Sequence, residues 1–125
     1  MTENQKRFRD MKKISIGIHF DSEAQRLAAT LSSLHANSSR DAEVLVFADG
    51  TPEIPYSFHV PDVKFFRESS DPLRRGAAAC FNRLAAYSDA DILVLLESGA
   101  RVGSRWLEYL LRALDADPRN GLAGP

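Results

Sequence analysis

Ser88-Asp-Ala-Asp-Ile-Leu-Val-Leu-Leu-Glu-Ser-Gly-Ala100 decides the fold. Its middle, Ile92 to Leu96, is an unbroken apolar run of strand length. A run without polar alternation suits a strand covered on both faces, as in a parallel sheet, and predicts a central strand here. The run stops on Glu97-Ser98-Gly99, an acid followed by small residues. Open α/β sheets place their ligands at the carboxyl ends of strands, so this stop is where chemistry is expected. Taken alone, Glu97 also fits a solvated loop carboxylate, as most surface acids are.

Around that strand the chain has room for one domain: 125 residues suffice for a single core. A composition of 44% hydrophobic and 26% charged residues is that of an ordinary globular protein. The formal net charge of -1 gives no electrostatic case for nucleic acid or an acidic membrane surface. Cys80 is the single cysteine, which excludes an internal disulfide and a cysteine-cluster metal site and predicts a core position. No apolar run approaches the roughly 20 residues that cross a bilayer, and the start is polar rather than signal-like, so a cytoplasmic location is expected.

Residues 1–12 mix Lys6, Arg7 and Arg9 with Glu3, Asn4 and Gln5 and read as a flexible lead-in to a domain spanning 13–125. Ile14-Ser-Ile-Gly-Ile18 predicts strand one, with a glycine that lets something approach the backbone closely. Ser22 with Gln25 is a capping-box pattern, and Leu27, Leu31 and Leu34 give the following helix its apolar stripe. The loop His19-Phe-Asp-Ser22 thus leads into a helix amino terminus, whose free N–H groups suit anions. Glu43-Val-Leu-Val-Phe47 predicts a second buried strand ending in Ala48-Asp49-Gly50-Thr51. Pro52, Pro55 and Pro61 forbid a regular helix in the connector, and His59 there has no second ligand at metal spacing. Val63 to Phe66 predicts a short third strand.

Arg74-Arg-Gly-Ala-Ala-Ala-Cys-Phe-Asn82 opens a helix, with Ala78, Phe81, Leu84 and Ala85 expected on its apolar side. A glycine and arginines at a helix start suit phosphate, and they equally suit a solvated surface. After the first-quoted strand, Gly103-Ser104 is expected to cap a helix whose stripe is Trp106, Leu107, Leu110, Leu111 and Leu114. Leu122 to Pro125 begins what reads as another strand.

The alternation predicts an α/β, Rossmann-like fold with a mostly parallel sheet and helices on both faces. No G-x-G-x-x-G follows strand one, which argues against NAD or FAD. The carboxyl edge, lined by His19, Asp49, Arg75 and Glu97, is expected to be the main concave polar site.

From Ile14 to Pro125 the residues resemble the family 2 glycosyltransferases of the GT-A fold. Thr30-Leu-Ser-Ser-Leu34 is similar to the family's T-L-x-S-L, and Ala48-Asp-Gly-Thr51 to its D-D-G-S. Gly76-Ala-Ala-Ala-Cys-Phe-Asn82 resembles the G-x-A-x-A-x-N helix, Asp91 to Ala100 the strand bearing the D-x-D motif, and Trp106-Leu107 the W-L of the next helix.

The resemblance implies the donor half of such an enzyme, which binds a nucleotide-diphosphate sugar, with Mn²⁺ or Mg²⁺ bridging the diphosphate and the D-x-D acids. Carried over, base and ribose would meet His19, Phe20, Ser22 and Asp49, the diphosphate would lie near Arg75 and Gly76, and Glu97 would take the place of the first metal acid. Ala48 replaces the first acid of D-D-G-S, and Gly99 replaces the second of D-x-D. A hard cation wants several oxygen ligands, and Glu97 with Ser98 is a poor remainder. The catalytic base is unassigned, because the resemblance implies that base and acceptor half lie beyond Pro125; the acceptor is a glycan, lipid or protein left unspecified. A noncatalytic domain that kept the fold for nucleotide binding or assembly is the alternative. A phosphoacceptor receiver fits less well, since strand one leads to His19-Phe20-Asp21 rather than two adjacent acids, and no lysine follows Lys64.

Overall fold

The computed structural model describes residues 13–21, 23–38, 41–50, 53–67 and 73–116. The strands are β1 (Ile14–Phe20), β2 (Glu43–Ala48), β3 (Val63–Phe66) and β4 (Ile92–Glu97). The helices are α1 (Ala24–Asn37), α2 (Ala77–Tyr87) and α3 (Trp106–Asp115), with one 3₁₀ turn, Tyr56–Phe58, in the proline-rich connector. The four strands form one sheet in the order β3-β2-β1-β4, and every pairing is parallel. The fold is therefore α/β and Rossmann-like.

Alternation along β1 sorts its side chains between two layers. Ile16, Ile18 and Phe20 join Leu27 and Leu34 of α1, while Ile14 packs with Leu107 and Leu111 of α3. Each such side chain, fully buried, contributes roughly 1.5–3 kcal/mol relative to exposure. The odd positions face α2. A Cβ at Gly17 would lie 3.1 Å from Leu84 Cδ1 and 3.3 Å from Leu95 Cδ2, so the bare backbone there is what admits α2 so close. Leu45, Phe47, Cys80 and Leu84 form the core of this second layer.

Several sequence expectations change. β1, buried at every position, and β2 are the interior strands; β4, expected to be central, pairs only with β1 among the described residues and has Leu95 42% exposed. An unbroken apolar run carries no information about whether a neighbour pairs along the strand's second edge, and in β4 it does not mark two covered faces either, since its side chains are half-buried or exposed. On α2 the buried side is Cys80 and Leu84, with Ala77 and Phe81 half-buried beside them, whereas Ala78 and Ala85 are exposed. The helix α3 begins one residue past the expected cap: Arg105, at φ 60, is its N-cap, and its guanidinium donates from Nε to Glu108 Oε2 at 2.8 Å. The helix α1 has Glu23 as N-cap in place of the expected Ser22, and Glu23 makes no side-chain capping bond. Ser22 itself, the lead-in 1–12 and the strand expected from Leu122 lie outside the described residues.

Candidate functional site

Strands β1, β2 and β3 step across the sheet in one direction, and the chain then returns to lay β4 on the other side of β1. That reversal is the switch point at which open α/β sheets form their ligand crevices, outside the carboxyl ends of the strands. His19, one residue before the end of β1, and Glu97, the last residue of β4, are direct register partners. Asp49 follows β2 immediately, and its amide donates to Phe20 O at 2.8 Å, which fixes it beside the end of β1.

The three side chains form one chain of hydrogen bonds. His19 donates from Nδ1 to Glu97 Oε2 at 2.7 Å and from Nε2 to Asp49 Oδ2 at 2.8 Å. An ionised carboxylate only accepts, so wherever both neighbours are ionised both ring nitrogens donate and the ring carries a positive charge. Burial disfavours that charge, but the hydrogen bonds to Asp49 and Glu97, with the charges of Glu97 and Asp21, outweigh it and raise the His19 pKa above its ordinary value. Asp49 is 2% exposed. Burial would push its pKa up, yet the amides of Arg75 and Gly76 together with His19 hold it below the ordinary aspartate range. Arg75 N donates to Oδ1 at 2.7 Å and Gly76 N to Oδ2 at 3.0 Å. Gly76 is the N-cap of α2 at φ 89, a left-handed value that a side chain would strain.

The structure thus brings His19, Asp49, Arg75, Gly76 and Glu97 to one edge. Phe20 ends the same strand but is fully buried in the α1 layer, where it is a packing residue. His19 and Asp49 are sealed and bound to each other, leaving Glu97 and the Arg75–Gly76 turn at the surface. A cleft of about 1100 Å³ opens at the opposite, amino edge of the sheet, lined among others by Lys13, His35, Glu43, Phe58 and Lys64. The converging side chains are therefore a polar plug more than the walls of a large cavity. His59 is exposed and packs its ring 5.0 Å from that of Phe65 at a tilt of 51°, a surface packing contact.

The loop after β4 is held by α1. Thr30 Oγ1 accepts from Gly99 N at 2.8 Å, Ser33 Oγ accepts from Val102 N at 3.1 Å, and Asn37 Nδ2 donates to Val102 O at 3.0 Å. Spacings of three and four put these side chains on one helix face. Gly99 sits at φ 101, against the side chain of Arg26, a conformation in which an aspartate would be strained. With one oxygen of Glu97 tied to His19 and a glycine at 99, the residues do not fit a Mn²⁺ or Mg²⁺ bridge, which needs several oxygens. Glu97 joins no grouping of three metal-binding side chains among the described residues.

Sequence reasoning passed over two participants. Cys80 Sγ, a His19 nitrogen and an Asp49 oxygen lie within 4.8 Å of one another, all three residues buried. Cys80 was legible only as core, although its position one turn into the helix that Asp49 anchors was a usable signal. The Thr30-Ser33-Asn37 face was visible as polar residues at helical spacing. Among the described residues no helix is long and apolar enough to cross a membrane. Compared with known proteins, the chain matches no protein-family model and no curated sequence.

Proposed function

We propose that this chain is the donor-binding portion of a family 2-type glycosyltransferase, holding a nucleotide-diphosphate sugar at the carboxyl edge of the sheet, with the sugar passing to an acceptor bound elsewhere. The observation that carries the reading is the strand order β3-β2-β1-β4, which sets His19, Asp49, the Arg75–Gly76 turn and Glu97 around one switch point. The roles follow from chemistry. Asp49 fixes the glycine turn that opens α2, and the amides of the first turn of α2 beyond Gly76, together with Arg75, suit a diphosphate. Glu97 and the Ser98–Gly99 turn flank the place where the sugar would lie. The buried ion pair of Asp49 with His19 makes Asp49 a support rather than a proton acceptor, so no base is assigned.

The sealing of His19 and Asp49 against each other favours a second reading, a domain of this fold kept for nucleotide binding or assembly without transfer. Calorimetry with UDP, GDP and their hexose conjugates, with and without Mn²⁺, tests the first. We expect binding that Mn²⁺ leaves unchanged, because the residues at positions 97 to 99 cannot complete a hard-cation site. Absence of heat with every nucleotide would remove the donor reading and leave assembly. A strong Mn²⁺ requirement would show that further oxygens complete a cation site at Glu97.

A further inference from the structure

We propose that His19, Asp49 and Cys80 form a binding site for a thiophilic divalent transition metal of the Zn²⁺ type, with Glu97 as the outer carboxylate that orients the histidine. This site is separate from any cation bridging a diphosphate, and it stands or falls independently of the donor reading.

The donor set is one imidazole nitrogen, one carboxylate oxygen and one sulfur, within 4.8 Å of one another. Three protein ligands of this kind with a fourth position for another donor is the pattern of tetrahedral zinc. Bond lengths of about 2.0–2.3 Å put neighbouring tetrahedral ligands roughly 3.2–3.6 Å apart. From 2.8 Å, His19 Nε2 and Asp49 Oδ2 need open by only a few tenths of an ångström. Closing the sulfur side takes on the order of 1 Å, within reach of a Cys80 rotation. Nε2 is the ligating nitrogen because Nδ1 is held at 2.7 Å by Glu97. A carboxylate on the far nitrogen of a ligating histidine fixes its tautomer and ring plane, as at known zinc sites. The amides of Arg75 and Gly76 fix the Asp49 carboxylate in the same way.

Charge favours the exchange. Two carboxylates flank the ring, and the Cys80 sulfur lies beside them. A divalent ion would displace the proton on Nε2 and the proton on Sγ, leaving neutral histidine and a thiolate, so the summed charge at this buried place does not change. The low-dielectric surroundings therefore add no new net charge to solvate. Thiolate and imidazole select borderline and soft metals over Mg²⁺ or Mn²⁺, which sets this site apart chemically from a diphosphate cation.

Titrating the chelator-stripped 125-residue chain with Co²⁺, a spectroscopic stand-in for Zn²⁺, tests the proposal. The expected result is thiolate-to-cobalt charge-transfer absorption with the intense visible bands of four-coordinate cobalt, saturating at one ion per chain and erased by equimolar Zn²⁺. Cys80→Ser should remove the charge-transfer band, and Glu97→Gln, at a half-exposed residue, should weaken Co²⁺ binding roughly 10–100-fold. Circular dichroism of each variant establishes that it folds. The proposal is overturned if the native chain shows no charge-transfer band under a large excess of Co²⁺. It is equally overturned if the band persists in folded Cys80→Ser, or if Glu97→Gln binds Co²⁺ as tightly as the native chain.

Discussion

His19 joins three segments through one ring: β1 carries it, β4 ends on its Nδ1 partner and β2 is followed by its Nε2 partner. Its worth to the fold lies in what its removal would leave behind. In His19→Leu the carboxylate of Asp49 would stay buried, with two backbone N–H donors but no countercharge, while the replacement adds apolar surface. Breaking a buried pair by deleting one partner costs about 3–5 kcal/mol, and the two remaining amides place this case near the lower end. Urea unfolding should therefore show a midpoint shift equivalent to about 3 kcal/mol with an unchanged slope. A loss under about 1 kcal/mol would mean that Asp49 is satisfied by its amides alone and that His19 is not the keystone of the edge.

Between elements, the link that most affects the site is the grip of α1 on the loop after β4. Thr30, fully buried, accepts the Gly99 amide and donates to Arg26 O at 3.3 Å, and Ser33 repeats the pattern one turn later with Val102. Thr30→Val keeps the shape and removes the acceptor. We expect a stability loss of about 1 kcal/mol and, more tellingly, faster hydrogen exchange at the Gly99 amide with β1 amides still protected. If Gly99 exchange is unaltered, the loop is held by something other than this helix face. The glycine at 99 is then best understood through its conformation. Its φ of 101 serves the turn that α1 holds, so placing an acid there would strain the loop.

At the scale of the whole molecule, the two ends of the sheet carry different charge chemistry. At the amino end Glu43 accepts from Lys64 Nζ at 2.7 Å and from Ser15 Oγ at 3.1 Å, with Lys13 nearby. The Lys64 hydrogen bond, opposed by partial burial and aided by Ser15, lowers the Glu43 pKa below its ordinary value. A carboxylate depressed on folding contributes stability that is present above its unfolded pKa and lost as pH falls through the folded one. Acid titration of stability should thus have a component below the ordinary glutamate range that is absent in Glu43→Gln, while the two profiles run parallel from neutral pH down to that range. Parallel acid limbs in the two proteins would remove Glu43 as a contributor. Because Glu43 ties the starts of β1, β2 and β3, its protonation would loosen the edge that borders the cleft while leaving the carboxyl edge intact.

The sequence by itself determined the elements and their layers. Unbroken apolar runs at Ile92–Leu96 and Val44–Phe47 mark the strands, although β4 is only partly covered, with Leu95 42% exposed, and the leucine spacing of α1 and α3 dictates which helix sides are buried. It also placed His19, Asp49, Arg75, Gly76 and Glu97 at one sheet edge, because each ends a strand or opens a helix. What it did not contain is which strand lies inside, since hydrophobic pattern records the cover on a face and is silent about pairing along an edge. Nor could it show that His19, Glu97, Asp49 and Cys80 meet. That depends on the parallel register His19↔Glu97, which puts both side chains on the α2 side of the sheet, and on Gly17, whose missing Cβ lets α2 come down to carry Cys80 there. These contacts join residues far apart in the chain, so only the tertiary structure, through strand order and the closeness of one helix, decided them.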